Sequence, residues 1–271
     1  MTQPFIDLEL SRRLELAETM TPDCVLALRR LAPQSSIAAI TVAGGTAFFG
    51  GVDYPANQIV GLGLYDEVTC DALKQVEEFY HSRGVPCTIV VSPFADTSLL
   101  ALVGERGYRI AEFNSVLIRP IIADEAFTLQ ADISIEPVTP ATVLLFAHAI
   151  AQGFAEHGPV PEDVFAGMAV PPDSLAVLAR VGDALVGGGG GRIIHEARIA
   201  ALFGAATLPQ YRGRGVQTAI IARRLQQAAR SGCEFAVVST QPGSGSQRNM
   251  ERRGFRLAYT KLVMVREWPQ T

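Results

Sequence analysis

The chain has 271 residues with 23 basic and 27 acidic side chains, a net charge of −4, and 48% of its residues are hydrophobic while 18% are charged. This composition excludes a largely disordered chain, because disordered chains are too polar to offset the entropy of ordering. No apolar run approaches the roughly 18 residues that cross a bilayer. Residues 1–13 lack the basic and apolar segments of a signal peptide. We therefore expect a globular, cytoplasmic protein without a membrane partner.

The chain contains four cysteines and four histidines, and their spacing predicts neither a disulfide framework nor a metal site. No CxxC pair occurs among Cys24, Cys70, Cys87 and Cys233. The histidines are too widely spread to complete a zinc site. We expect reduced thiols and no metal.

The two halves of the chain differ in charge. Residues 1–129 contain 9 basic and 16 acidic residues, whereas residues 130–271 contain 14 and 11. An anionic ligand is therefore expected in the C-terminal half. Because the chain is acidic overall, is only 7% aromatic and shows no nucleic-acid module, a small phosphorylated ligand is favoured over a nucleic acid.

The hydrophobic pattern predicts alternating strands and helices in both halves. In the first half, strands are predicted over 47–50, 58–64, 87–92 and 108–119, and helices over 70–83 and 99–105. A mixed acidic segment over 121–134 then separates two predicted domains, 1–125 and 133–271. In the second half, strands are predicted over 235–239 and 256–266, and helices over 216–230 and 246–253.

Glycine positions indicate an internal duplication. Gly84 and Gly107 are 23 residues apart, Gly232 and Gly254 are 22 apart, and each interval contains strand, loop and helix. The alternative is that any α/β protein shows such intervals, and one repeat period does not exclude it.

The segment 205–221, AATLPQYRGRGVQTAII, has the pattern of an anion-binding turn. An apolar strand ends at Pro209, and a helix follows Gly213 and Gly215. Glycines permit unusual φ values and close approach of a phosphate, and a helix N-terminus carries about half a positive charge. Arg212 and Arg214 add donors. The alternative is a tight turn that binds nothing, which a short glycine pattern alone does not reject.

Three other motifs, two for phosphate binding and one for a nucleophile, do not match the sequence. A Walker loop needs Gly-Lys-Ser or Gly-Lys-Thr after the turn, and neither is present. A dinucleotide fingerprint needs a third glycine where Thr218 stands. A GxSxG nucleophile turn is absent.

The order Gln210, Gly213, Gly215 after a strand ending in Thr207-Leu208-Pro209 resembles the coenzyme A pyrophosphate loop of the GNAT acyltransferase superfamily. The predicted helix, strand, helix ending in Gly-Phe and last strand follow in the family's order. Upstream, 175–181 and 184–194 resemble the two strands of the family's central hairpin, so the resemblance covers residues 133–267. It implies an α/β (α+β) fold of two GNAT-like copies, each a twisted mixed sheet flanked by helices. The first copy, with only YDEVT between Leu64 and Cys70, is expected to lack the GxG loop and the coenzyme.

The same resemblance assigns coenzyme contacts by position. Amides around Thr207 and Leu208 are expected to meet the pantetheine arm and the thioester, and those near Leu208 to stabilise an oxyanion. The pyrophosphate contacts are assigned to Arg212, Gly213, Arg214, Gly215, Val216 and Gln217. Thr218 adds a hydroxyl. Ser246 and Asn249 are expected to touch the coenzyme, with a helix N-cap as the alternative for Ser246.

Catalytic candidates come from the acceptor side of the family's fold. Glu156 and His157 lie where relatives form the acceptor wall, with a plain surface loop as the alternative reading. Tyr211 and Tyr259 are candidate proton donors to the departing thiolate, and Tyr259 is alternatively a core or dimer-surface residue. The strand over 200–208 has no carboxylate, and Met250 stands where many relatives place a tyrosine.

Together these features predict an acetyl-CoA-dependent N-acetyltransferase that acts on a small-molecule amine and forms, as related folds do, a homodimer. The alternative is an acyl-CoA sensor or scaffold without catalytic activity, because the loop is intact while the carboxylate and tyrosine are missing. A further alternative is a structural duplicate whose glycine turn binds nothing.

Overall fold

The computed structural model describes residues 4–20, 22–31, 36–157, 162–169, 171 and 173–269. The helices are α1 (Leu8–Leu16), α2 (Pro22–Leu31), α3 (Cys70–His81), α4 (Thr97–Glu105), α5 (Val143–Phe154), α6 (Glu162–Ala169), α7 (Val216–Arg230) and α8 (Gly245–Glu251). The strands are β1 (Ala38–Val42), β2 (Gly45–Phe49), β3 (Ile59–Val60), β4 (Cys87–Val91), β5 (Arg109–Pro120), β6 (Ile133–Pro137), β7 (Val177–Val181), β8 (Ala184–Ile194), β9 (Ile199–Thr207), β10 (Phe235–Thr240) and β11 (Arg256–Arg266). Short 3₁₀ turns form at Ala155–His157 and Pro209–Tyr211.

Tertiary contacts divide the described residues into two compact units. The first unit takes residues up to 25, then 34–117 and 239–271, and the second takes 26–33 and 118–238. Residues 239–271, the end of the predicted second domain, thus pack with the first unit. The two domains expected from the sequence, 1–125 and 133–271, stay a prediction.

The first unit contains a mixed sheet in the order β1-β2-β3-β4-β11-β5. Strand β3 runs parallel to β4, and β11 runs antiparallel to β4 from Leu262 opposite Val91 to Arg266 opposite Cys87. The buried residues of α3, including Leu73 and Val76, join the core beneath these strands. The strand predicted over 58–64 ends at Val60, because Gly61 and Gly63 adopt positive φ and turn the chain.

The second unit contains a mixed sheet in the order β10-β9-β8-β7-β6. Side chains of β7 alternate between its two faces, as the two-residue repeat of a strand requires. Ala176 and Leu178 pack in the cluster of α5 and α6, while Val177 and Ala179 pack with Val216 and Ile220 of α7. Both faces of this sheet are therefore covered by helices, which confirms the expected mixed sheet flanked by helices.

Helix α7 has the bounds predicted from the sequence. It begins after Gly215 and ends with Gly232 at positive φ, where the Gly232 amide bonds the Ala229 carbonyl and the Cys233 amide bonds the Ala228 carbonyl. This glycine-terminated end is a frequent helix stop. Strands β8 and β11 also match the predicted 184–194 and 256–266.

The run Gly187–Gly191 lets both helix layers approach strand β8. A Cβ at Gly188 would lie 3.3 Å from Phe146 Cδ2 of α5, and one at Gly189 would lie 2.7 Å from Ile220 Cγ2 of α7. The ladder between β8 and β9 also shifts register between Gly189 and Gly190. The run therefore serves close packing and a β-bulge.

None of the described helices is long and apolar enough to span a bilayer. Within the same residues, His, Cys, Asp and Glu side chains form no group of three or more suited to a metal ion.

Candidate functional site

Strand β9 parts from β10 halfway along its length. The parallel ladder joins Phe235 to Ile199, Ala236 to Ala200 and Val237 to Ala201, and it ends there. On its other side, β9 stays paired with β8 as far as Thr207. The β10-facing edge of β9 beyond Ala201 is thus left without a ladder partner in the described part of the chain, and it leads directly to the glycine turn.

The glycine turn leaves the first turn of α7 without a side-chain cap. Gly215 is the N-cap with a φ of +84°, and no side-chain cap hydrogen bond is made there in the described residues. Gly213 has a φ of +77°. Other residues are strained at such φ values. Val216, Gln217 and Thr218 form the first helical turn, which carries the positive end of the helix dipole. This is an anion-binding geometry.

Both arginines of the turn form ion pairs with carboxylates from other segments. Arg212 Nη1 lies 2.8 Å from Glu156 Oε2, and Arg214 Nη2 lies 2.9 Å from Asp132 Oδ2. Arg214 also lies over the ring of Tyr211, 5.6 Å from its centroid. The structure therefore brings Glu156 and Tyr211 to the same turn as the two arginines.

Two residues at the end of β9 differ in their hydrogen bonding. The Leu208 amide donates to the Val186 carbonyl at 2.9 Å. The oxyanion role expected of amides near Leu208 is therefore wrong for the Leu208 amide itself, because this donor is already engaged. Thr207 Oγ1 is buried and has no hydrogen-bond partner among the described residues.

A buried arginine of α7, which the sequence analysis did not single out, lies beside the bulge of β8 and β9. Arg224 is 1% exposed. Its Nη1 donates to the Gly190 carbonyl at 2.5 Å and to the Phe203 carbonyl at 3.4 Å. Burial lowers the pKa of Arg224 to about 9, so the guanidinium stays charged at neutral pH. Its spacing of four residues from Ile220 was the signal for a buried position.

The predicted catalytic residues have different surroundings. Glu156 is exposed and paired with Arg212. Tyr211 is half-buried and packs against the apolar cluster of Val177, Val186 and Val216. The backbone of His157 belongs to a 3₁₀ turn, but its side chain lies outside the described residues.

Three further candidates belong to the first unit. Ser246 and Asn249 are exposed on α8. The alternative reading of Ser246 as an N-cap is wrong, because the Ser244 Oγ accepts the Gln247 amide and caps this helix. Tyr259 is buried and donates to Glu15 Oε1 at 2.8 Å, which agrees with its reading as a core residue. Burial raises the pKa of Tyr259 well above its ordinary value.

Comparison with protein families identifies the segment that carries this site. The profile of the acetyltransferase (GNAT) family matches residues 144–255, which include β9, the glycine turn and α7. Residues 144–255 therefore match the GNAT family. A comparison with curated proteins gives no match.

Solved GNAT structures resemble the whole chain in fold. A GCN5-related N-acetyltransferase from Kribbella flavida has a TM-score of 0.66 and 18% identity, with 93% of this chain and 98% of that chain covered. A tandem GNAT protein from the clavulanic acid biosynthesis pathway has a TM-score of 0.60 and 13% identity, with 95% and 93% covered. A GCN5-related N-acetyltransferase from Sphaerobacter thermophilus has a TM-score of 0.56 and 18% identity over 72% of this chain, which spans only 65% of that protein.

Proposed function

We propose that this GNAT protein is an acetyl-CoA-dependent N-acetyltransferase that passes the acetyl group directly to the amine of a small acceptor. The observation that carries the proposal is the first turn of α7, which Gly215 leaves without a side-chain acceptor at the end of a strand that parts from its neighbour. A diphosphate supplies the acceptor oxygens and the negative charge that this turn lacks.

The residues of the turn suit the parts of coenzyme A. We assign the diphosphate to the backbone of 213–217, with Thr218 adding its hydroxyl. Arg212 and Arg214 contribute charge-assisted hydrogen bonds, which are stronger than neutral ones. The backbone around Thr207 is assigned to the polar pantetheine arm along the open edge of β9. Bound acetyl-CoA would supply the activated acyl thioester as a substrate.

The transfer requires a free amine and a protonated leaving group. An amine with a pKa of about 10.4 costs about 4.6 kcal/mol to deprotonate at pH 7. When its nitrogen attacks, the new C–N bond replaces the C–S bond and the sulfur leaves as a thiolate. We assign Tyr211 as the proton donor to that thiolate, because its ring lies beside the turn. His157 stays a candidate base on the acceptor side.

The N-terminal segment from β1 to β5 is best interpreted as a second GNAT-like copy. Its element order β1-β2-β3-α3-β4-α4-β5 repeats the order β7-β8-β9-α7-β10-α8-β11. The strand before each corresponding helix also runs parallel to the strand after it. We propose that only the C-terminal copy binds the coenzyme.

Calorimetry of acetyl-CoA binding to the full chain tests the proposal. The double variant Gly213→Val/Gly215→Val should lose binding, because each side chain imposes strain at positive φ and covers the turn. Gly182→Val/Gly232→Val is the matched control, since both glycines have positive φ and open space around them but lie outside the turn. The control should bind as the wild type does. Equal affinity in both double variants would exclude the turn as the coenzyme site.

Transfer is tested in the same samples by following free thiol with a panel of amines. Amine-dependent thiol release by the wild type, absent in the turn variant, supports the transferase. Tight binding without release for every amine in the panel would favour the sensor.

A further inference from the structure

The two carboxylates that hold Arg212 and Arg214 come from separate segments of the second unit. Asp132 directly precedes β6, and Glu156 lies in the 3₁₀ turn that follows α5. Each places an oxygen within 2.9 Å of a guanidinium nitrogen. Gln130, two residues before Asp132, also approaches the turn, since its Nε2 would lie 3.6 Å from a Cβ at Gly215. Both segments therefore meet the turn at the place assigned to the diphosphate.

The two ion pairs neutralise the charge of Arg212 and Arg214 but hold these side chains only weakly. All four side chains are about half exposed, between 46% and 51%. Exposed ion pairs contribute little to stability, so a better anion can replace them. A diphosphate has two anionic groups, which matches the two carboxylates, and its oxygens can accept from the same guanidinium donors.

We propose that Asp132 and Glu156 are resident counter-ions of the coenzyme turn, which the coenzyme's phosphates displace from Arg214 and Arg212. This inference rests on the proposed function. It gives Glu156 a different role from the catalytic one expected from the sequence: its carboxylate competes with the phosphates and lowers the affinity for the coenzyme, and it takes no proton from the acceptor amine.

Calorimetry of coenzyme A binding to the full chain tests this role. At low salt, about 50 mM NaCl, Asp132→Asn and Glu156→Gln should each raise affinity about threefold, and together about tenfold, because each removes a negative charge near the phosphates. At about 0.5 M NaCl the gain should fall below about twofold, since salt screens exposed charges. Pantetheine, which has no phosphate, should show no gain. Asp173→Asn, which breaks a comparable exposed pair with His195, is the matched control and should change nothing.

A second arm tests the pairing itself. In an Arg212→Gln background, Glu156→Gln should raise coenzyme affinity less than it does in the wild type, because the carboxylate no longer competes for Arg212 and only its direct repulsion of the phosphates remains. A wild type that binds coenzyme A while the double carboxylate variant binds equally or more weakly would overturn the counter-ion role and leave the proposed function standing. Binding by the double variant alone supports the counter-ion role strongly. If neither protein binds coenzyme A, the proposed function fails and this inference fails with it.

Discussion

Helices α3 and α7 each join two parallel strands of their own unit, but their first turns are completed in opposite ways. Thr69 caps α3, and its Oγ1 accepts the Ala72 amide at 3.1 Å. Asp66, Glu67 and Asp71 place negative charge beside that turn. Gly215 begins α7 and offers no side-chain acceptor. The first turn of α3 is therefore satisfied internally, whereas that of α7 leaves room for an external anion.

The loops before the two helices differ in the same sense. A Gly-x-Gly pair precedes α3 as well, at Gly61 and Gly63, both with positive φ. That loop is held by other contacts: the Gly63 carbonyl accepts the Asp96 amide at 2.8 Å, and the Leu64 carbonyl accepts Arg12 Nε at 2.7 Å. Gly61 and Gly63 lie away from the first turn of α3, whereas Gly213 and Gly215 lead directly into α7. Two glycines thus favour anion binding only where they stand at the helix start, as they do before α7.

Each helix also buries one charged residue. Glu77 of α3 accepts from Arg106, Arg266 and the Tyr108 hydroxyl. Arg224 of α7 instead bonds backbone carbonyls, with no carboxylate partner among the described residues. The helix with a closed first turn is held by side-chain ion pairs, and the helix with an open one is held by the bulge of its sheet.

The largest expected effect concerns Glu77. Burial disfavours its charged form, but hydrogen bonds from Arg106 and Arg266 outweigh burial and lower the pKa of Glu77 below its ordinary value of 4.5. Glu77→Gln should destabilise the first unit by about 3 kcal/mol, at the low end for a broken buried pair because both arginines are a third exposed. Urea unfolding followed by Trp268 fluorescence measures this, since the chain's one tryptophan donates to the Val85 carbonyl of the same unit.

The effect of Glu77 should depend on pH in a defined direction. A carboxyl whose pKa is lower in the folded state stabilises above about pH 4.5, and this contribution is lost as the pH falls through the folded pKa. The difference between wild type and Glu77→Gln should therefore shrink in acid. Glu78→Gln, at an exposed neighbouring position, is the control and should be neutral. A difference that stays constant from pH 7 to pH 3 would contradict the assignment of this ion pair.

The next largest effect is expected when the first turn of α7 receives a side-chain acceptor, as Thr69 provides for α3. Gly215→Asp places a carboxylate acceptor on the turn, and aspartate tolerates positive φ better than most residues. We expect about a hundredfold loss of coenzyme affinity, about 2.7 kcal/mol. Gly215→Asn has the same shape without the charge and should lose about tenfold. Calorimetry at low salt measures both, and equal losses would mean that shape, not charge, controls the site.

A smaller effect is expected at Arg224. Arg224→Lys keeps the charge but loses the planar set of donors that reaches the Gly190 and Phe203 carbonyls together. We expect about 2 kcal/mol of local destabilisation from the unsatisfied carbonyls. Hydrogen exchange of the α7 amides measures it. Arg230→Lys, exposed in the last turn of the same helix, should leave exchange unchanged. Equal protection in both variants would show that the bulge does not depend on Arg224.

In the second unit, the positions of helices and turns were predicted more accurately than the contacts between side chains. The hydrophobic repeat predicted the bounds of α7, and Gly213 and Gly215 predicted the position of the turn, because these signals are local. The ion pairs of Arg212 and Arg214 could not be predicted, since Glu156 is 56 residues away from its partner and Asp132 is 82 away. The insertion of β11 between β4 and β5 was missed for the same reason, because local periodicity does not determine the partners of a strand.

The smallest effect is expected when the side-chain cap of α3 is removed. Thr69→Ala should destabilise the first unit by about 1 kcal/mol, because the Ala72 amide loses its acceptor, while Thr69→Ser should be nearly neutral. Trp268 fluorescence during urea unfolding measures both. Neither variant should create a second coenzyme site, since Asp66, Glu67 and Asp71 still place negative charge beside the first turn of α3 and repel phosphate. Calorimetry should therefore give one binding site per chain in every case. A second site in Thr69→Ala would mean that the cap alone keeps the coenzyme out of the first unit, and that the acidic residues have no part in it.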